Sequence, residues 1–279
     1  MLREQVSTSD GSGELFDQGQ LRSFYLHTPK SYKPDRPMPL VLVFHGSHGS
    51  GNSIANVTRF NDLAEQKGFI VVYPNGIDHQ WSNGGGIFSL GVNDISFVAT
   101  LIDHLKQMRN IDSRRIYATG FSSGGFLSQS LACNLSNRIA AVASVAASLP
   151  ANLASSCKPK TPVSVLMING TGDRAVPYTG GKIGGAGREV VSVPKTVELW
   201  RQNNSCASKA KLKPLPDTEI SRYSHCRGGA EVMLVSVKHG GHRWPGGASG
   251  NVKALQSNVN SEINASKAIW DFFRRHSLT

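Results

Sequence analysis

At 279 residues, with 39% hydrophobic and 18% charged side chains, the chain is long enough and apolar enough to bury a core, and its composition is not that of a disordered segment. No run of about 18 apolar residues occurs, so no membrane span is expected, and Met1-Leu2-Arg3-Glu4-Gln5 lacks the apolar stretch of a signal peptide. The net charge of +11 raises a nucleic-acid partner, but Lys and Arg are scattered, with Arg114-Arg115 and Arg274-Arg275 the densest pairs and no aromatic ladder between them; a basic soluble surface, or attraction to acidic polysaccharide, is what remains.

Taken in chain order, residues 1–20 read as a peripheral N-terminal extension to one domain spanning 1–279. Leu21 to His27 alternates as a strand does, and Met38 to His45 (MPLVLVFH) is almost wholly apolar, as in a strand buried on both faces. Phe69 to Tyr73 is a further strand. Asp94 to Met108 places Ile95, Val98, Leu101, Ile102 and Leu105 at helical spacing, with Asp94 as its expected cap. Arg115 to Thr119 is a strand, Gly124 to Leu135 a helix, and Ile139 to Ala146 and Val163 to Ile168 are strands. Thr179 to Gly187 reads as a glycine-rich mobile loop; no GK[ST] follows, which argues against a phosphate cradle. Ser192 to Gln202 is a helix capped by Ser192 ahead of Pro194, Glu231 to Val237 the last strand, and Glu262 to Phe273 the last helix. This alternation implies an α/β fold with a mainly parallel central sheet and helices on both faces, whose chemistry sits beyond the carboxyl ends of the strands.

The four cysteines, Cys133, Cys157, Cys206 and Cys226, form no CxxC pair and allow three pairings. Pairing sequence neighbours, Cys133 with Cys157 and Cys206 with Cys226, closes short loops and is the preferred reading; four buried free thiols are the alternative. Two bridges would imply an oxidising compartment.

Gly120-Phe121-Ser122-Ser123-Gly124 matches G-x-S-x-G, after a strand and at the opening of a helix. That is the context of a nucleophile elbow, in which a sharp turn leaves no room for side chains two residues before and after an exposed serine. A serine hydroxyl needs a base, and the elbow order is serine, acid, histidine. Asp173 follows the strand ending at Ile168 in Asn169-Gly170-Thr171-Gly172-Asp173, although a plain turn aspartate is the competing reading. The strand ending at Val237 is followed by His239-Gly240-Gly241-His242-Arg243-Trp244-Pro245. His242, further out in the loop, is the expected base and His239 a strand-end structural histidine. The amides of Ser123 and of Ser47, in the glycine-rich loop His45-Gly46-Ser47-His48-Gly49-Ser50-Gly51, are the expected oxyanion donors. The pairs His45/His48 and His239/His242 also show H-x-x-H spacing, the basis of a rival metal-dependent hydrolysis, but no helical H-E-x-x-H occurs.

With these residues the chain resembles the secreted esterases of the α/β-hydrolase superfamily grouped as polyhydroxybutyrate-depolymerase-like and feruloyl or acetylxylan esterases. The matching segments are VFHGS (43–47), VVYPNG with Trp81 following, ND (93–94), GFSSGG (120–125), NGTGDRAVPY (169–178) and GGHRWPGG (240–247), together with the spacing of Trp200, Cys206 and Cys226. The likeness runs from about Leu21 to Phe273. It implies an α/β-hydrolase fold, a secreted or periplasmic enzyme, His242 as the base, a Cys206–Cys226 bridge and Trp81 near the acyl pocket. Trp244, in the same motif as the base, is a further substrate-binding candidate, and a packing role is the competing reading for Trp81. Ser47 stands where depolymerase-like members often carry cysteine, and Trp81-Ser82 where Trp-Asn is usual; both bear on substrate more than on reaction.

The expectation is therefore a serine carboxylic-ester hydrolase acting on feruloyl, aryl or related plant cell-wall esters, with a polyester depolymerase or acetylxylan esterase as alternatives. A catalytically dead polysaccharide-binding member is the rival from another class. A small or polymeric ester is the expected partner, without nucleic acid, membrane, metal or organic cofactor, and the chain is expected to be a monomer.

Overall fold

The computed structural model describes residues 10–82, 92–184, 188–211, 216–248 and 263–279. Its strands are β1 (Gly11–Asp17), β2 (Gln20–His27), β3 (Met38–Phe44), β4 (Ile70–Pro74), β5 (Ile111–Phe121), β6 (Ala141–Val145), β7 (Ser164–Gly170), β8 (Gly181–Lys182), β9 (Glu189–Val190), β10 (Ser208–Lys211), β11 (Thr218–Ser224) and β12 (Val232–Val237). Its helices are α1 (Gly51–Thr58), α2 (Phe60–Lys67), α3 (Asp94–Met108), α4 (Ser123–Asn134), α5 (Ala151–Ser156), α6 (Val193–Asn203) and α7 (Ala265–Phe273).

Ten strands form one sheet in the order β1-β2-β4-β3-β5-β6-β7-β12-β11-β10. The six central strands, β4 to β12 in that order, run parallel, and antiparallel strands close both edges. Alternate residues of the central strands face opposite layers, because side chains alternate along a strand. Leu40, Leu42 and Phe44 of β3 pack with Phe97, Leu101 and Leu105 of α3, Leu127 and Leu131 of α4 and Trp200 of α6. Val41 and Val43 face the other layer with Ile54 of α1, Phe60 of α2 and Ile269 and Trp270 of α7. Both faces of the centre are covered, which is why those strands read as continuous apolar runs.

The last residues of the chain lock the base of β5. The Tyr117 ring stacks on Phe273 at 4.8 Å and its hydroxyl donates to the His276 carbonyl. Leu278 N–H donates to the Arg114 carbonyl at 2.9 Å. Nearby, Glu231 is buried at the foot of β12 and bonded to Arg222 and Arg275.

Several expectations are corrected. Residues 11–17, expected in a peripheral extension, supply β1, an edge strand paired along its length with β2. The cap of α3 is Asn93, whose side chain accepts from the Ile95 and Ser96 amides, whereas Asp94 is fully buried in an ion pair with Arg22. Within the glycine-rich stretch, Gly181–Lys182 pairs with Glu189–Val190 as a small hairpin; residues 185–187 lie outside the described residues, as do residues 249–262, so α7 is described from Ala265. Ser192 does cap α6, accepting from Lys195 N–H at 3.2 Å. Both disulfides pair sequence neighbours, Cys133–Cys157 and Cys206–Cys226.

Candidate active site

β5 ends at Phe121, and Ser122 takes φ 53° and ψ −116° before α4 begins. A non-glycine residue held there stores local strain, which the surroundings impose. Ser122 N–H donates to Val145 O of β6 at 2.9 Å. A Cβ on Gly120 would overlap the Gly124 backbone, and one on Gly124 would overlap the carbonyls of Phe44 and His45. The strand, the turn and the first turn of α4 therefore pass at backbone contact, and the serine stands alone at the crest.

Asp173 reaches the same place from the end of β7, and His242 from the end of β12, two neighbouring parallel strands. Their loops also touch: a Cβ on Gly170 would overlap the Gly240 carbonyl. Thr171 N–H donates to Val237 O, Gly172 N–H to Gly240 O, and His239 N–H to Thr171 Oγ1, each at 2.9 Å. Tyr178 in the aspartate loop shares a 2.7 Å hydrogen bond with Ser236 of β12. Val176 of the same loop packs on Phe126 of α4 with Ala147, Ile183 and Val190.

The result is a continuous chain of hydrogen bonds. His242 Nε2 lies 2.9 Å from Ser122 Oγ, and His242 Nδ1 lies 2.7 Å from Asp173 Oδ2. Asp173 Oδ1 accepts the Ala175 and Val176 amides at 2.8 and 2.9 Å. Asp173, whose carboxylate only accepts, receives a hydrogen bond from Nδ1–H of His242, which leaves Nε2 to accept from the serine hydroxyl. The Asp173 side chain is 1% exposed and that of His242 22% exposed, so the acid is shielded while the imidazole meets solvent. Phe121 braces the imidazole, with ring centroids 4.9 Å apart. Sequence reasoning passed over this residue, because the variable second position of the elbow pattern carries no signal of its own.

Ser123 is the first residue of α4, where helix geometry leaves the N–H without an intrahelical partner and the helix dipole favours negative charge. Ser47 is half-buried in the loop that follows β3. His45 at the head of that loop is buried, and burial lowers its pKa to about 4, so it is a neutral imidazole. Its Nδ1 bonds Gly46 O at 2.8 Å and its Nε2 accepts from Gly76 N–H at 3.0 Å. Both ring nitrogens are thereby engaged, one by Gly46 within the loop and one by Gly76 outside it, and the H-x-x-H spacing of His45 and His48 assembles no ligand pair. His239 is exposed at the strand end and stands apart from the serine–histidine–aspartate chain.

The two tryptophans expected near the substrate, Trp81 and Trp244, are both buried. Trp81 has 0% exposure and Trp244 5%, and both indoles are hydrogen-bonded within the protein. Trp81 Nε1 donates to the His45 carbonyl at 2.9 Å. Trp244 Nε1 donates to Ser266 Oγ at 3.0 Å, tying the histidine loop to α7.

The chain is similar to known esterases. The chain is 27% identical over 266 residues to feruloyl esterase B of Piromyces equi, covering 92% of this chain and 46% of that protein, so it spans about half of the relative's length. It is 28% identical over 279 residues to the putative esterase NocK of Nocardia uniformis subsp. tsuyamanensis, covering 93% of this chain and 81% of that protein. An acetyl xylan esterase from Aspergillus awamori superposes with a TM-score of 0.62 at 16% identity over 84% of this chain and 95% of that one, and shows the fold to be that of the α/β-hydrolases. The model of the family described as esterase PHB depolymerase matches residues 22–177. That match takes in more than half of the chain, including the elbow and Asp173, and the chain belongs to the esterase PHB depolymerase family.

Proposed function

We propose that the protein is a secreted serine carboxylic-ester hydrolase in which Ser122 is the nucleophile, His242 the general base and Asp173 the residue that orients it. The observation that carries this reading is the unbroken Ser122–His242–Asp173 hydrogen-bond chain at the carboxyl ends of the strands. As Ser122 Oγ attacks the ester carbonyl, His242 Nε2 takes its proton. Asp173, fixed by two backbone amides, stabilises the imidazolium and keeps Nδ1 protonated. The tetrahedral oxyanion is held by the amides of Ser47 and Ser123, the latter at the positive end of α4. His242 then protonates the leaving alcohol, and water, deprotonated by the same imidazole, releases the acid from Ser122.

Feruloyl and related aryl esters of plant cell walls are the proposed substrates, supported by relatives named feruloyl esterases. A second reading, acetylated xylan, is favoured by the bifunctional acetylxylan esterase/xylanase of Neocallimastix patriciarum among the relatives. The two disulfides support an oxidising compartment. Hydrolysis of a feruloylated ester, acetylated xylan and a 3-hydroxybutyrate oligomer, run side by side, ranks these substrates. Ser122→Ala is expected to abolish turnover and labelling by a fluorophosphonate; full activity in that variant would refute the nucleophile.

A further inference from the structure

The loop that carries Ser47 is gripped by a single segment, residues 75–81. His45 O accepts from Trp81 Nε1 at 2.9 Å, and His45 Nε2 from Gly76 N–H at 3.0 Å. His48 N–H donates to His79 O at 2.9 Å, and His79 Nδ1 bonds Gly49 O at 2.7 Å. Gly51 N–H donates to Asn75 Oδ1 at 2.7 Å. The grip surrounds Ser47 on both sides. The gripping segment has little regular structure of its own: Asp78 and His79 are consecutive left-handed residues with φ of 47° and 59°.

One buried ion pair holds the segment at both ends. Arg22 of β2 and Asp94 of α3 meet at 2.6 Å with side chains 1% and 0% exposed. The same guanidinium nitrogen reaches the Asn75 carbonyl at 3.4 Å, where the segment starts. The second carboxylate oxygen accepts Ser82 N–H at 2.5 Å, where it ends. The guanidinium carbon lies over the Phe97 ring, 3.7 Å from its centroid. Removing two charges from water costs several kcal/mol per ion before their attraction is counted, so a pair this deep is weak evidence for stability and calls for another use. Its two hydrogen-bond contacts outside the pair, Asn75 O and Ser82 N–H at the two ends of the segment, define that use.

We propose that Arg22 and Asp94 are positioning residues for the oxyanion loop, acting through residues 75–82 to hold the Ser47 amide where the carbonyl oxygen becomes charged. This inference rests on the triad reading of Ser122, His242 and Asp173. Neither residue touches substrate. Asp94→Asn presents an amide NH2 to either Arg22 or the Ser82 amide, both of them donors, and so breaks one end of the tie while keeping volume. Trp81→Phe removes the donor to the His45 carbonyl together with part of the indole's packing on Phe44 and His45.

The test is steady-state hydrolysis of a p-nitrophenyl ester together with inhibition by phenylboronic acid, whose tetrahedral adduct on the serine places an oxygen in the oxyanion site. Asp94→Asn is expected to lower kcat by about tenfold to a hundredfold, leave KM within about twofold, and raise the boronate inhibition constant in parallel. Trp81→Phe is expected to act in the same direction with a smaller factor. Glu231→Gln, which alters an equally buried carboxylate at the opposite end of the sheet, is expected to change none of the three. The proposal is overturned if Asp94→Asn and Trp81→Phe keep wild-type kcat and inhibition, if the loss falls on KM alone, or if Glu231→Gln shows the same loss. Should Asp94→Asn not fold, as read by near-ultraviolet circular dichroism, Trp81→Phe decides. An inactive Ser122→Ala beside unchanged Asp94 and Trp81 variants sinks the positioning role alone; an active Ser122→Ala sinks the triad reading beneath it.

Discussion

A few atoms of backbone clearance decide the geometry around Ser122. The close approach at Gly170 brings the aspartate and histidine loops together, and adding one methyl group there is expected to force them apart. Gly170→Ala should cost about 1–3 kcal/mol of stability through overpacking and lower kcat by about tenfold or more, as the Asp173–His242 bond lengthens. Gly241→Ala, next to the histidine but facing open space, is the contrast and should leave both nearly unchanged. Paired denaturation and kinetic measurements on the two variants separate loop packing from loop position. The hydrogen-bonded residues Ser122, Asp173 and His242 were legible because strand ends, elbow glycines and chain order constrain them together. The burial of Trp81 and Trp244 was not, because an aromatic side chain in a loop looks the same in sequence whether it is exposed or packed on the loop's own backbone. Asp94 misled for a related reason: two adjacent capping-type residues open α3, and only the packing decides that Asn93 caps while Asp94 turns inward to Arg22.

At the scale of elements, the antiparallel β10–β11–β12 edge supports the strand that leads to His242, and its outer hairpin is closed by Cys206–Cys226. The bridge spans a sequence separation of 20, and by chain entropy its removal costs about 3 kcal/mol. The double variant Cys206→Ala with Cys226→Ala should therefore unfold at lower denaturant, yet keep its kcat at 25 °C, because the bridge lies at the foot of β12 and the histidine at its top. A large fall in kcat without a shift in the unfolding midpoint would contradict this. The six parallel strands were readable because burial on both faces demands apolar runs. The edge strands were not: GSGELFD and TEISRYS are polar and half-exposed, so they carry no run to detect. The helices α1 and α2, eight residues each, and α5, with six, are too short to display a helical period above the loops around them.

For the molecule as a whole, acid is the expected weakness. Burial lowers His45 and His276 to about 4, while an unfolded histidine titrates near 6.5. Between those values the unfolded chain binds more protons than the folded one, so stability falls as pH drops from about 6.5 towards 4 and is flat with respect to these groups above it. His276 faces Glu231, Arg222 and Arg275, and the two arginines add to burial in disfavouring its cation while Glu231 opposes them. Melting temperature should decline between pH 7 and 4.5, and decline less in His276→Leu; equal slopes in the two proteins would remove His276 from the account. The docking of residues 273–278 on the base of β5 has a further consequence, one of timing. A chain made from its N-terminus presents the elbow serine some 120 residues before the histidine it bonds, and Tyr117 beneath that serine waits longer still for Phe273 and His276. Until His242 has been made the nascent chain holds this serine without its hydrogen-bond partner, and until residues 265–278 follow, one flank of the central strand stays bare, so the two ends of β5 are completed in separate steps.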